Sequence, residues 1–249
     1  MKKETFWTAA ALAGRAACQF LLTLGVVTNL SAADAGLWFL FISLGSVVQF
    51  FDLGFSAAIL RCASYLHSGA RELLKEGVSP HRTEGNSPNL PELKKLLATV
   101  GVLYSLISLV VLALAALLGA TALHPLLDSP SSALAWNLFA LALVPQLFIS
   151  LKHNFLQGSG SLPLAQALMA IGSFLVGLIS FFTLLTTSSL VALCAIYAIG
   201  SLLHLITYLL SLRRFSFGKP CFSLLNTLWP NSIRSGVSRL SLAMIYHLP

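Results

Sequence analysis

Charge is what this sequence has least of. Only 9% of its 249 residues are Asp, Glu, Lys or Arg, where a soluble domain carries roughly 25%. So few charges cannot cover a globular surface, which excludes a soluble fold. Despite a formal net charge of +7, it also removes nucleic acid as an expected partner. Cysteine is scarce as well. Cys18 and Cys194 lie in apolar blocks, Cys62 and Cys221 in what read as loops, and none has C-x-x-C spacing. That argues against a zinc site or a disulfide framework and leaves the four as small apolar packers. Catalytic patterns are missing too. There is no G-x-x-x-x-G-K-[ST], no H-E-x-x-H and no G-x-S-x-G, and the six histidines are scattered. No enzyme activity, cofactor or metal is expected. Gly158-Ser159-Gly160 reads as a flexible connector, since no strand precedes it to make a phosphate cradle.

What the chain has is apolar length. Hydrophobic residues make up 57% and come in blocks. Six blocks reach the roughly 20 residues that cross a hydrocarbon core. They run from Phe6 to Leu30, Ala35 to Leu60, Leu96 to Leu118, Ala133 to Leu151, Leu164 to Thr186 and Leu190 to Leu212. The stretch Asn231 to Pro249 reads as the truncated start of a seventh. Lys2 and Lys3 before the first block, with Ser31-Ala32-Ala33-Asp34-Ala35 after it, imitate a signal peptide. The block is longer than an h-region of about 7–15 residues and contains Arg15, so it reads as the first span. The expected fold is all-α: a polytopic bundle of six helices over residues 1–230, then the cut-off start of a second bundle at 231–249.

The loops give the orientation. Lys2, Lys3, Arg61, Arg71, Lys75, Arg82, Lys94, Lys95, Lys152, Arg213, Arg214 and Lys219 fall in one set of loops. The other set, near 31–34, 121–132 and 187–189, has no Lys or Arg. Basic loops stay in the cytoplasm, which places the N-terminus and the long loop 61–95 inside. Within that loop, 70–76 can form two surface turns of helix. Pro91-Glu92-Leu93-Lys94-Lys95 suits a helix start.

Polar residues inside the blocks fall on helical faces. Thr8, Arg15, Gln19 and Thr23 share one face of the first block. Gly45, Gln49, Asp52 and Ser56 share one of the second. Gln146, Ser150 and His153 align in the fourth, beside Pro145. Gln166, Ser173, Ser180 and Thr187 repeat in the fifth, and Cys194, Tyr197, Ser201, His204 and Tyr208 form a stripe in the sixth. The third has only Gly101, Ser105 and Ser108. Small and hydroxylated residues also serve plain helix packing. Arg15 and Asp52 stand apart, because an ionised side chain near a span's centre costs about 2.5–3.5 kcal/mol on the lenient scale. Both lie slightly to the cytoplasmic side of mid-span on neighbouring antiparallel helices. They are expected at similar depth, facing inward, either as a packing pair or as a cationic site steadied by Asp52.

Asp34-Ala35-Gly36-Leu37-Trp38, Phe51-Asp52-Leu53-Gly54-Phe55 with Leu60-Arg61, and Phe155-Leu156-Gln157-Gly158 together resemble the polysaccharide flippases. These are the O-antigen and lipopolysaccharide exporters of the multidrug/oligosaccharidyl-lipid/polysaccharide superfamily. The resemblance implies a multi-pass protein of the bacterial inner membrane that flips an undecaprenyl-diphosphate-linked oligosaccharide. It implies that Arg15, Arg61, Lys152 and Arg234 attract the diphosphate. Gln19, Gln49, Gln146 and Tyr197 would meet sugar hydroxyls, with Asp52 beside Arg15. Such flippases have about twelve or fourteen helices in two pseudo-symmetric halves. The chain would then be an incomplete transporter, its partners being membrane lipids, the lipid-linked oligosaccharide and a complementary half or second copy. A drug or metabolite/cation antiporter of the same superfamily, coupled through Asp52, and a non-transporting membrane scaffold are the competing readings.

Overall fold

In lipid every backbone N–H and C=O must find its partner within the protein, so an apolar chain of this kind folds as helices. The computed structural model describes residues 2–48, 52, 54–74, 87–213, 215 and 218–230, without the side chains of 2–8, 10–12 and 15. Its regular structure is α1 (Lys2–Asn29), α2 (Ala32–Val48), α3 (Phe55–His67), α4 (Leu90–Ala120), α5 (Pro130–Gly158), α6 (Leu162–Thr187) and α7 (Leu190–Ser211). No strand occurs among the described residues. α4 to α7 are each long and apolar enough to cross a membrane, and the chain is thus a helical membrane protein. α1 has 28 residues, but Lys2, Lys3, Glu4 and Arg15 occupy its first half.

The second block is not one helix. α2 is described as far as Val48, and residues 49–51 lie outside the description. A new helix, α3, starts at Phe55 after Gly54, whose φ of 79° is left-handed. Glycine takes that conformation without steric cost. The anticipated face of Gly45, Gln49, Asp52 and Ser56 is therefore divided between separate elements, and Gln49 lies outside the described residues.

Local chemistry fixes most helix ends. The Ser31 hydroxyl accepts the Asp34 N–H at 3.1 Å and donates to the Asp34 carboxylate at 2.9 Å, a reciprocal cap on α2. Ser129 and Ser132 cap α5 in the same reciprocal way, each hydroxyl accepting the other's backbone N–H. Two helices close with the left-handed glycine cap. In α3 the Ala70 N–H reaches the Tyr65 carbonyl and the Gly69 N–H the Leu66 carbonyl, with Gly69 at φ 89°. In α5 the Ser161 N–H reaches Leu156 and the Gly160 N–H reaches Gln157, with Gly160 at φ 77°. Gly158-Ser159-Gly160 is thus an ordered helix cap, not a flexible connector. The surface turns expected over 70–76 are absent from 70–74, because the cap turns the chain away and the Asn89 side chain takes the Ala70 and Arg71 carbonyls. Residues 75 and 76 lie outside the description.

The chain divides into two compact units, 1–48 with 106–149 and 166–208, and 49–105 with 150–165 and 209–249. In the first, α1 runs parallel to α6: Cys18 lies against Gly177, and Gly25 against Phe181 and Leu184. α6 meets α7 antiparallel, Gly172 under His204 and Val176 over Gly200. The core is a cluster of rings, Trp38 and Phe41 from α2, Trp136 and Phe139 from α5, and Tyr197 from α7. In the second unit α3 runs parallel to the end of α5. Ser56 meets Ser150 at 3.2 Å, and one to two turns on Gly158 packs against Leu60 and Ala63. Asn89 joins α3 to α4, its N–H on the Leu66 carbonyl and its side-chain oxygen capping Glu92.

A Cβ on Gly158 would overlap the Leu60 carbonyl and the Ala63 methyl, whereas one on Gly101 meets nothing within 4 Å. Gly158→Leu is expected to lower stability by about 2 kcal/mol or more. Gly101→Ala is expected to be neutral or to gain up to about 1 kcal/mol. Thermal unfolding in detergent, followed by circular dichroism, checks both; equal effects would contradict the close α3–α5 crossing.

Candidate functional site

A carboxyl group placed where a helix breaks inside an apolar segment has free backbone donors to accept from. Asp52 is such a group. It is 8% exposed, and its Oδ2 accepts the Ser56 N–H at 3.1 Å, one of the orphan donors in the first turn of α3. The other oxygen, Oδ1, accepts the hydroxyl of Tyr104 from α4, a residue with no exposed surface. The Ser56 hydroxyl pairs in turn with Ser150 on α5. One acidic side chain therefore satisfies the start of α3 and ties it to α4, while its neighbour Ser56 ties it to α5.

The anticipated site residues separate by exposure and by unit. Gln19, Gln146 and Tyr197 belong to the first unit; Asp52, Arg61 and Lys152 belong to the second. Gln19 and Arg61 are exposed, Gln146 and Tyr197 are half-buried, and Lys152 is 3% exposed. Arg15 is on α1, in the first unit, but its side chain lies outside the described residues, as do Gln49 and Arg234. The expected Arg15–Asp52 pair accordingly has only one described partner, and both oxygens of that partner are engaged by Tyr104 and Ser56.

Several residues assigned to loops are helical. α3 extends to His67, which puts Arg61 on its exposed face and Cys62 on its buried one. α5 continues seven residues past Leu151, so Lys152 is helical; His153, expected on this helix, bonds Gln157 at 2.8 Å. Tyr197 stacks on Phe139, centroids 5.7 Å apart and planes at 8°, and meets Trp38 edge-on at 5.8 Å. Its ring is part of the core packing of the first unit. The stripe on α7 faces inward: Cys194, Ser201, His204 and Tyr208 are buried. The His204 Nε2 bonds the Leu168 carbonyl at 3.0 Å and its ring lies on Tyr208.

Tyr104, Asn89 and Thr99 were not anticipated. Tyr104 sits on the Gly101–Ser108 face of α4 at spacings of three and four, so its phase was available. Thr99 accepts the Cys221 N–H at 2.9 Å and holds the segment after α7 against the start of α4. The Ser223 hydroxyl, 3.1 Å from the Cys221 sulfur, holds that thiol below the usual thiol range, with the Lys95 charge contributing. Cys18, Cys62 and Cys194 are buried. Compared with protein-family models, curated proteins and solved structures, the chain matches none.

A double-mutant cycle on Asp52→Ala and Tyr104→Phe is expected to show a coupling of about 1–2 kcal/mol in unfolding free energy, as for a hydrogen bond to an acidic group. Strictly additive effects would contradict the bond between the two side chains.

Proposed function

We propose that the chain is a multi-pass transporter of the bacterial inner membrane, N-terminus inside, which moves an undecaprenyl-diphosphate-linked oligosaccharide towards the outer leaflet. The observation that carries this reading is the interruption of the second block marked by Asp52 and by Gly54 at φ 79°. An apolar helix that stops inside lipid is tolerated where protein groups re-satisfy its backbone, and discontinuous spans are a recurrent feature of transporter substrate paths. The break falls on the Phe51–Phe55 motif that carries the family resemblance. The distribution of charge supports an anionic cargo. Twelve of the fifteen Lys and Arg and five of the eight acidic residues belong to the second unit, so the whole formal charge of +7 resides there and the first unit is neutral. That balance speaks against a cation antiporter, which calls for an acidic path.

A non-transporting membrane subunit is the second reading. It is favoured by the pairing of the polar faces: among the described residues only the Ser180 hydroxyl is a buried side-chain group without a hydrogen bond.

Expression of a full-length transporter that contains this chain, in a strain blocked in lipid-linked oligosaccharide export, is expected to restore surface polysaccharide. Arg15→Ala and Arg61→Ala, present at wild-type levels in the membrane, are each expected to lose most of it. Failure of that full-length protein to rescue while present in the membrane would overturn the flippase reading for that glycan, and rescue indifferent to both arginines would remove their assigned role. The orientation has its own check. Of the four cysteines, Cys221 is expected to react with a membrane-impermeant maleimide, and only in inside-out vesicles. Labelling in right-side-out vesicles would reverse the topology.

A further inference from the structure

The segment after α7 returns to the start of α4 and lies along it. Gly218 packs on the backbone of Lys94 and Lys95; a Cβ there would meet the Lys94 carbonyl carbon at 3.0 Å and the Lys95 nitrogen at 3.1 Å. Three residues later the Cys221 N–H bonds the Thr99 hydroxyl. Lys219, between these two anchors, is thereby brought beside Lys94 and Lys95, although about 125 residues of chain separate them. The carboxylate on this turn of α4, Glu92, is engaged by Lys95 at 2.6 Å. Lys94 and Lys219 supply the remaining positive charge, Lys219 exposed and Lys94 half-buried. Beyond them Leu96, Leu97 and Val100 are buried, and about three turns on α4 exposes Leu106, Leu109, Val110 and Leu117 on its surface. Backbone contacts thus gather two cations at the start of an apolar helix, and basic residues at such an end attract anionic lipid.

We propose that Lys94 and Lys219 form a binding site for the phosphate of an anionic glycerophospholipid in the surrounding leaflet. The site is built from two chain segments locked together through Gly218 and Thr99, which distinguishes it from the scattered loop charges that set orientation. This inference is independent of the flippase reading, since the ligand is a bulk lipid and not a cargo.

The test is native mass spectrometry of the full chain in detergent, titrated with phosphatidylglycerol or phosphatidylcholine. The wild type is expected to retain phosphatidylglycerol preferentially. Lys94→Gln with Lys219→Gln should weaken that binding about 25-fold, at about fivefold per lysine. Lys94→Arg with Lys219→Arg should keep it, which separates loss of charge from loss of fold. Lys2→Gln with Lys3→Gln removes the same charge elsewhere and should leave the preference intact. Equal binding of the two lipids by the wild type, or an equal loss in the Lys2/Lys3 control, would overturn the proposal. So would binding of undecaprenyl diphosphate in place of phosphatidylglycerol, which would make the patch a cargo site.

Discussion

The second unit depends on how one interrupted helix satisfies its backbone. A helix starting inside an apolar region leaves four N–H groups without intrahelical partners, and an unpartnered polar group in hydrocarbon costs several kcal/mol. Asp52 answers this with a single side chain that accepts the Ser56 N–H and the Tyr104 hydroxyl. A carboxyl at the N-terminal end of a helix also meets the favourable end of its dipole. The remaining contacts extend the same anchoring along α3, through the Ser56–Ser150 bond, the bare backbone of Gly158 against Leu60, and the Asn89 contact to Leu66 at the far end. α3 is only 13 residues long, yet it is held to α4 and α5 at its beginning, middle and end.

The two units solve the membrane problem with different chemistry. The first is neutral and packed through aromatic rings, with Trp38, Phe41 and Phe139 at or below 2% exposure, and its helices approach through Gly25, Gly172, Gly177 and Gly200. Small residues at such crossings are how helices associate where lipid removes the hydrophobic drive. The second unit carries the whole net charge and is joined by hydrogen bonds between side chains and backbone. Lys152, the one deeply buried Lys or Arg among its described residues, is on α5. That helix is also the most buried of the four long ones, at 56% of its apolar window against 17–28% for the others.

How much of this was legible follows from what each signal measures. Hydropathy read over windows locates α6 and α7 to within two residues of their ends, because no Asp, Glu, Lys or Arg interrupts them. The same averaging concealed the break in the second block, since Phe50, Phe51, Leu53 and Phe55 keep every window apolar around Asp52 and Gly54. The local signal was present: an Asp and a Gly two residues apart are helix-start chemistry. It was read as a polar face and not as a boundary. Lys152 counts as a loop residue when the fourth block is closed at Leu151, although the stop signal comes only with Gly160. Tyr104 escaped because an aromatic in an apolar block counts as apolar. Only the fold brings its hydroxyl to Asp52, 52 residues away. Likewise, no periodicity announces that Gly218 comes to rest on Lys94.

Burial changes the weight of the anticipated binding residues. A group that meets a mobile cargo must be reachable, and it must not be the sole satisfaction of buried backbone. Asp52 fails on the second count, because removing it strands the start of α3. Lys152, at 3% exposure, fails on the first. Tyr197 has one ring face committed to Phe139. Arg61 meets the first condition. It is exposed on α3, while its neighbour Cys62 and, two residues on, Ala63 hold that helix in the core. A guanidinium fixed to a well-anchored helix offers planar, paired donors to phosphate oxygens at little ordering cost. In the proposed transport role, then, the cationic contact nearest the break belongs to Arg61, and Asp52 serves by holding the helix that presents it.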